Sequence, residues 1–148
     1  MITLLADRDV EGQAFLVWGT LSATGWLELL PMLLVRFADV GLPYDSTDRE
    51  VWRFAQASQM LLLTNNRNME GADSLEQTMR DEGHITALPV ITLGRAERMS
   101  EGPYREQCAT RLLEIIVDLE DYRGVGRIFI PCTAKHARSS HDGAPGRS

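Results

Sequence analysis

Two short apolar runs in this chain each end abruptly in side chains that carry oxygen atoms. Ile2–Ala6 is followed by Asp7-Arg8-Asp9, and the run 61–63 is followed, after Thr64, by Asn65-Asn66-Arg67-Asn68. Apolar runs without alternation are typical of strands buried on both faces of a parallel sheet. In an open α/β sheet, ligands bind in the crevice at the carboxyl ends of such strands. The two runs therefore predict a site at that edge, acidic after one strand and amide-bearing after the other.

Strand-like and helix-like stretches alternate along the rest of the chain. Strands are predicted at Ile2–Ala6, 33–38, Met60–Thr64, 88–93 and Arg127–Ile130, and helices at 13–24, from Thr47 onward, at 74–82 and at 106–122. Thr47 and Glu50 fit a capping box, in which two side chains accept hydrogen bonds from backbone N–H groups at a helix start. Strands that alternate with helices predict a three-layer α/β/α sandwich around a mostly parallel sheet.

Composition and length indicate one soluble globular domain. A chain of 148 residues can bury a proper core, and apolar and charged fractions of 44% and 24% are ordinary for this class. The net charge of −6 argues against tight, non-specific binding to nucleic acid or to an anionic membrane. The apolar stretch 27–35, interrupted by Glu28 and Pro31, is too short to span a membrane. With no signal-peptide pattern and only two distant cysteines, a cytoplasmic location is expected.

The end of the chain differs in composition from the rest. From residue 133 onward it consists mainly of Ser, Gly, Ala, Arg and His and lacks large apolar side chains. Such a segment has too little apolar surface to offset the entropy lost on folding. We therefore expect one domain over residues 1–132 and a disordered tail over 133–148.

Acidic and amide side chains recur around the predicted site edge. They are Asp7 and Asp9 after the first strand, Asp48 and Glu50 in the first turn of the central helix, and Asn66, Asn68, Glu70 and Asp73 after the third strand. If the first and third predicted strands are neighbours, their carboxyl ends converge on one crevice, into which the helix start can point Glu50. Clustered oxygen ligands suit Mg²⁺ or Mn²⁺, and such a metal centre activates water for attack on a phosphodiester.

The same residues also fit purely structural roles. Acidic side chains in a first helical turn interact favourably with the helix dipole, and Asp and Asn are ordinary turn formers. Arg8, Arg49 and Arg67 lie within the acidic motifs, where they either bind phosphate or pair with neighbouring acids. The residue types and their spacing leave both interpretations open.

In order and spacing, these motifs resemble the PIN-like superfamily, most closely the small stand-alone PIN-like proteins related to the Mut7-C ribonuclease domain (the DUF5615 type). The family's Leu-Leu-Asp-Glu-Asn strand end is matched by Leu5-Ala6-Asp7-Arg8-Asp9. Its Gly-Leu turn and Ser-Asp-Glu-Glu-Ile helix start are matched by Gly41-Leu42 and Thr47-Asp48-Arg49-Glu50-Val51. Its Leu-Leu-Thr-Arg-Asp-Lys-Asp-Phe strand end is matched by Leu62-Leu63-Thr64-Asn65-Asn66-Arg67-Asn68-Met69. The resemblance covers residues 1 to 70.

The resemblance implies a PIN-like fold and, in active members, Mg²⁺- or Mn²⁺-dependent ribonuclease chemistry. Carried over by position, Asp7 is the central ligand, Glu50 a second acid, and Asn66 and Asn68 occupy further ligand positions. The candidate catalytic residues are therefore Asp7, Glu50 and Asn66, and the candidate metal ligands are Asp7, Asp9, Glu50, Asn66, Asn68 and Asp73. Arg8, Arg49 and Arg67 are candidate substrate-binding residues because of their places within the acidic motifs. Asn66 and Asn68 stand where the family usually has aspartates, which removes two negative charges from the site. Asp9 and Asp73 are the candidates to restore that charge.

Two main hypotheses follow. The first is a metal-dependent ribonuclease with a weakened site, of the toxin type, whose partners are RNA and an antitoxin protein. The second is a catalytically inactive PIN-like binding or dimerisation module, which the two asparagines and the acidic net charge favour. A third hypothesis is an α/β domain without any functional site. The apolar stretches 13–24 and 27–35 also predict a surface through which two copies form a homodimer.

Overall fold

The chain folds into one parallel sheet with helices on both faces, as the alternating strands and helices predict. A computed structural model describes residues 1–65, 71 and 73–131. The strands are β1 (Ile2–Ala6), β2 (Met32–Arg36), β3 (Met60–Thr64), β4 (Val90–Leu93) and β5 (Arg127–Ile130), in the sheet order β2-β1-β3-β4-β5. The helices are α1 (Glu11–Ala23), α2 (Trp26–Leu29), α3 (Phe37–Val40), α4 (Asp48–Ala57), α5 (Leu75–Glu82), α6 (Gly102–Val117) and α7 (Leu119–Tyr122).

Side chains of the central strands alternate between two separate apolar cores. On one face, Leu4, Leu61 and Ile91 pack with buried residues of α1 and α6. On the other face, Leu5 and Leu62 pack with buried residues of α4 and α5. Successive side chains of a strand point to opposite faces, so strands that are apolar throughout can build both cores at once. This arrangement is the three-layer α/β/α sandwich.

The helices show that one crossover connection differs in hand from the others. The connection from β1 to β2 runs through α1 on the first face, while those from β2 to β3 and from β3 to β4 run the opposite way through α4 and α5 on the second face. These three therefore share one hand. The connection from β4 to β5 continues in the direction of the previous two but passes through α6 on the first face. It has the opposite hand, which is rare because about 98% of such crossovers are right-handed.

Because α6 lies on the first face, the second face of β5 is covered by side-chain contacts. Ile128 and Ile130 point into the first core, so Arg127 and Phe129 point to the other face. The Arg127 guanidinium lies 5.8 Å from the centre of the Phe129 ring and donates hydrogen bonds to Thr92 Oγ1 (2.8 Å) and to Glu76 Oε1 on α5 (3.2 Å). A side-chain network thus takes the place of a covering helix at this edge.

Several element boundaries differ from the predicted ones. The predicted strand 33–38 is wrong at its end: β2 stops at Arg36, and Phe37 begins α3, where the backbone N–H of Arg36 donates to Asp39 Oδ2 (2.9 Å). The predicted strand 88–93 starts only at Val90. The predicted helix 106–122 begins earlier, at Gly102, because Pro103 is well suited to a first helical turn. Its end is divided between α6 and α7.

Two further predictions concern the whole chain. The predicted tail, 133–148, lies outside the described residues, so the boundary at residue 132 stays a prediction. Within the described ranges, no helix has the length and apolar character needed to cross a bilayer.

Truncating a buried ring in the second core tests this packing. Phe37 is fully buried, and its ring meets the ring of Tyr44 edge to face at a centroid distance of 6.0 Å. Because truncation leaves a cavity, Phe37→Ala should lower the free energy of unfolding by about 3–5 kcal/mol, measured by urea denaturation. Phe37→Leu keeps most of the volume and should cost much less. Equal losses for the two variants would contradict a cavity effect.

Candidate functional site

The crevice at the carboxyl ends of β1 and β3 is the candidate site. From β1 the chain moves to β2 on one side, through a helix on the first face, and from β3 it moves to β4 on the other side, through a helix on the second face. Strands whose connections diverge in this way leave a crevice outside their carboxyl ends, where open α/β sheets bind ligands. β1 and β3 are direct neighbours, as predicted, with Ala6 paired to Leu63.

Asp7 is held rigidly in this crevice. Its side chain is only 6% exposed. Oδ2 accepts a hydrogen bond from the Thr64 hydroxyl (2.7 Å), and Oδ1 accepts one from the backbone N–H of Arg8 (2.8 Å). The Asp7 backbone N–H in turn donates to the Leu63 carbonyl (2.9 Å), which continues the β1–β3 ladder. The carboxyl group therefore has one fixed orientation.

Burial makes Asp7 an unusual acid. Loss of hydration raises its pKa above the ordinary value, and the hydrogen bonds from Thr64 and from the Arg8 N–H only partly oppose this shift. A buried carboxyl group costs stability when it is ionised. Acids with pKa values raised by burial in a crevice are over-represented at functional sites. Asp7 is thus the described residue with the clearest functional signature.

Arg8 brings the start of α4 towards this strand end. Its Nη1 donates to the carbonyl oxygen of Ser46 (3.2 Å), the residue before the α4 N-cap Thr47. Asp9, also predicted as a metal ligand, has an exposed side chain. The end of β1 and the first turn of α4 are therefore neighbours, which is the arrangement that the acidic motifs predict.

The predicted capping box at the start of α4 is confirmed. The Thr47 N–H donates to Glu50 Oε1 (2.8 Å), and the Glu50 N–H donates to Thr47 Oγ1 (3.1 Å). Asp48 performs a similar task for the next helix, because its Oδ2 accepts from the backbone N–H of Leu75 at the start of α5 (3.2 Å). Glu50 and Asp48 thus both have the structural roles that the sequence left open.

Arg49 lies at the centre of an ion-pair network between α4 and α5. Its guanidinium contacts Asp73 Oδ1 (3.1 Å), Asp81 Oδ2 (2.8 Å) and Glu82 Oε2 (2.6 Å). Arg53 also pairs with Glu82 (2.6 Å). Of the two roles considered for Arg49, pairing with acids is the one that these contacts fulfil. Asp73, a predicted metal ligand, is one of its partners.

The remaining predicted site residues are outside the described part of the chain. These are Asn66, Arg67 and Asn68, which belong to the segment directly after β3 and Asn65. Within the residues that the structure does describe, no three His, Cys, Asp or Glu side chains lie close enough to hold a metal ion together. The described crevice therefore contributes one buried carboxyl group, Asp7, and its hydroxyl partner.

Thr64 is the site residue that sequence reasoning missed. The sequence holds a signal, since Thr64 is the one hydroxyl-bearing residue in the buried strand Met60–Thr64. At 0% exposure, its hydroxyl needs a buried partner. The long-range partners of Arg49 on α5 were missed as well, because nothing in the local sequence shows which of many acids an arginine meets.

Comparison with protein-family models, curated proteins and solved structures finds no match to this chain. The PIN-like assignment therefore depends on the three sequence motifs, and activity, metal and partners stay proposals. The geometry adds the crevice and the buried acid to those motifs.

The raised pKa of Asp7 predicts how its removal changes stability with pH. The unfolded carboxyl ionises near its ordinary pKa of 3.8 and the folded one at higher pH. The folded state therefore binds more protons, and wild-type stability falls as pH rises through this range. Asp7→Asn lacks this loss, so its free energy of unfolding relative to wild type should increase from pH 4 upward and then level off.

Urea denaturation at a series of pH values measures this difference. Asp121→Asn, at an exposed position on α7, is the matched control and should follow the wild-type curve. An Asp7→Asn variant that loses stability relative to wild type as pH rises would show that the carboxylate, not the acid, is the favoured folded form.

The network around Arg49 predicts the opposite pH dependence for Glu82. Hydrogen bonds from Arg53 and Arg49 lower the pKa of Glu82 from 4.5 to about 2. The stabilising contribution is present above pH 4.5 and is lost as pH falls towards 2, because the unfolded carboxyl takes up its proton first. Glu82→Gln should therefore show a shallower loss of stability over this range in acid denaturation. Glu106→Gln, at an exposed position on α6, should retain the wild-type slope.

Proposed function

We propose that the chain is a PIN-like, divalent-metal-dependent ribonuclease whose site is weakened by Asn66 and Asn68. The observation that carries the proposal is the position of Asp7. Its carboxyl group is buried and fixed by Thr64 in the crevice at the carboxyl ends of β1 and β3. This is the position at which the PIN-like motif places the central metal ligand. An acid held at a cost to stability in a ligand-binding crevice calls for a functional reason.

The residue types of the proposed ligand set are suited to a hard divalent cation. Carboxylate and amide oxygens are what Mg²⁺ and Mn²⁺ prefer, and the candidate set has no sulfur or imidazole ligand. Asp7 and Asp9 would hold the ion together with Asn66 and Asn68. The resemblance also proposes Glu50 and Asp73, but no three acids among the described residues lie close enough to share one ion. When bound, the ion supplies an activated water and neutralises charge that develops on a phosphodiester.

The protein's own groups have distinct tasks in this proposal. Thr64 and the Arg8 N–H orient the Asp7 carboxylate. The hydrogen bonds use only one site on each oxygen, which leaves acceptor capacity on both. Arg8 and Arg67 are the proposed contacts to RNA phosphates, since Arg49 is paired with Asp73, Asp81 and Glu82. Two asparagines in place of aspartates retain ligand oxygens but reduce the attraction for the ion, so weak binding and slow turnover are expected.

An inactive PIN-like binding module is the second candidate, and a specific observation favours it. Glu50 is engaged in the capping box, and Asp73 is paired with Arg49, so two proposed ligands already have structural partners. In this candidate the fold serves recognition of another molecule rather than catalysis. For both candidates we propose a cytoplasmic location, with an antitoxin protein or a second copy of the chain as the protein partner.

Thermal melting during a Mn²⁺ titration tests the metal site without knowledge of the substrate. At about a hundred times the dissociation constant, binding should stabilise the wild type by ~2.7 kcal/mol, which corresponds to a rise in Tm of several degrees. Asp7→Asn should abolish that rise, while Asp121→Asn should retain it. Identical melting of wild type and Asp7→Asn at all Mn²⁺ concentrations would contradict the proposed site.

Cleavage of single-stranded RNA distinguishes the two candidate functions. An active ribonuclease should cleave in Mn²⁺, and Asp7→Asn should lower the rate by on the order of a hundredfold or more, since even outer-shell changes at metal sites cost 10–100-fold. Asp121→Asn should cleave at the wild-type rate. Metal-dependent stabilisation without cleavage would favour the binding module.

A further inference from the structure

One edge of the sheet is unusually apolar. β2 is a terminal strand of the sheet, and between Glu11 and Arg36 the chain carries a single charged residue, Glu28. Large apolar side chains of this region are exposed on three neighbouring elements. They are Phe15 on α1 (47% exposed), Trp26 and Leu29 on α2 (45% and 76%), and Leu33 on β2 (49%). Leu33 shares the second face with Leu5 and Val35, whereas α1 and α2 lie on the first face, so these side chains flank the β2 edge on both faces of the sheet. We call these four side chains the edge patch.

Contacts of α1 show which of its exposed residues face this edge. Glu11 accepts a hydrogen bond from Tyr44 (2.6 Å), in the segment that follows β2 and α3, so this side of α1 faces the β2 end of the sheet. Phe15 lies four residues later, on the same side of the helix. Thr20 accepts from Arg105 of α6 (3.2 Å) and so marks the opposite side. Leu16, four residues before Thr20, lies on that opposite side and does not belong to the edge patch.

We propose that the edge patch and β2 dock onto the same surface of a second copy of this chain. The two copies are related by a two-fold axis, and their β2 strands pair antiparallel to form one continuous ten-stranded sheet. A two-fold interface uses one surface twice, so a self-complementary strand edge is well suited to it. The proposal is independent of the ribonuclease function.

The charges of this edge are compatible with self-association. Pairing about Leu34 places Arg36 opposite Met32 of the second copy, so no like charges meet across the strands. The antiparallel arrangement also brings the end that carries Glu28 in one copy next to the end that carries Arg36 in the other. The centre of β2 has no charge or proline, the features with which proteins usually protect exposed edges from pairing.

The exposed area at this edge is close to what an interface needs. The exposed fractions of the edge patch correspond to roughly 450 Å² of apolar surface per copy, divided between the two faces of the sheet. Two copies together would bury about 900 Å², and the backbone of β2 supplies the remainder of the roughly 1,000 Å² that a specific interface needs. Depletion of charge is also what distinguishes the core of an interface from its surroundings.

Light scattering coupled to size-exclusion chromatography measures the oligomeric state of the full chain. At about 100 µM, the wild type should have twice the chain mass of 16.6 kDa and should dissociate on dilution. Amide hydrogen exchange should show that residues 32–36 become more protected as concentration rises. A wild type that stays monomeric at this concentration overturns the proposal and assigns the edge patch to another kind of partner.

Three glutamate substitutions at exposed leucines locate the interface. Leu29→Glu and Leu33→Glu place a charge in the proposed contact and should weaken dimerisation by at least about tenfold. Leu16→Glu, at a position that is 44% exposed on the opposite side of α1, is the matched control and should remain dimeric. Melting curves verify that each variant is folded. Leu29 is more exposed than Leu33 (76% against 49%), so a glutamate at Leu29 disturbs the packing of the fold less.

The outcomes distinguish an interface at the edge patch from an interface elsewhere on the chain. Dissociation by Leu29→Glu or Leu33→Glu in a folded protein, with Leu16→Glu unaffected, supports the proposal. A dimer that resists both substitutions, or one that Leu16→Glu weakens equally, shows that the copies associate elsewhere and overturns it.

Discussion

The parallel pairing of β1 with β3 is the contact on which the candidate site depends. It joins two strands that are apolar on both faces, so each contributes to both cores at once. The register that pairs Ala6 with Leu63 places Asp7 beside Thr64 at the point where both strands leave the cores. A shift of one residue would reverse the faces of every side chain in the strand. The same packing that stabilises the sheet therefore positions the acid.

Asp7 and the Arg49 network illustrate two opposite uses of carboxylates in one fold. Asp81 and Glu82 are accessible and paired with arginines, which lower the pKa values of both and make their ionised forms favourable. Among the described residues, no cationic partner outweighs the burial of Asp7, and its pKa is raised. The first kind of acid joins α4 to α5, and the second kind is the one that we propose as a ligand in the crevice. Ion pairing between helices and the proposed site thus use different acids of the chain.

Residues with local causes were predictable from the sequence, and residues with distant partners were not. The apolar runs located all five strands, and the Thr47–Glu50 spacing located the start of α4, because both signals lie within a few residues. The predicted end of β2 was wrong because Phe37 suits a strand as well as a short helix. The bond from Thr64 to Asp7 spans 57 residues, and the pairs of Arg49 with Asp73 and with two acids of α5 span 24 to 33 residues. These contacts follow from packing, not from local pattern.

The reversed crossover through α6 makes the two edges of the sheet chemically unlike. With α6 on the first face, the other face of β5 is held by Arg127, Phe129 and Glu76, an arrangement that includes an ion pair at 3.2 Å. The centre of the β2 edge carries apolar side chains instead, and the Arg36–Asp39 ion pair (3.0 Å) lies only at its end. Ionic strength therefore acts on the Arg127–Glu76 pair and on the apolar centre of β2 in opposite directions. Salt screens the attraction between Arg127 and Glu76, though less than for a fully exposed pair, while salts such as sulfate favour burial of the apolar β2 edge.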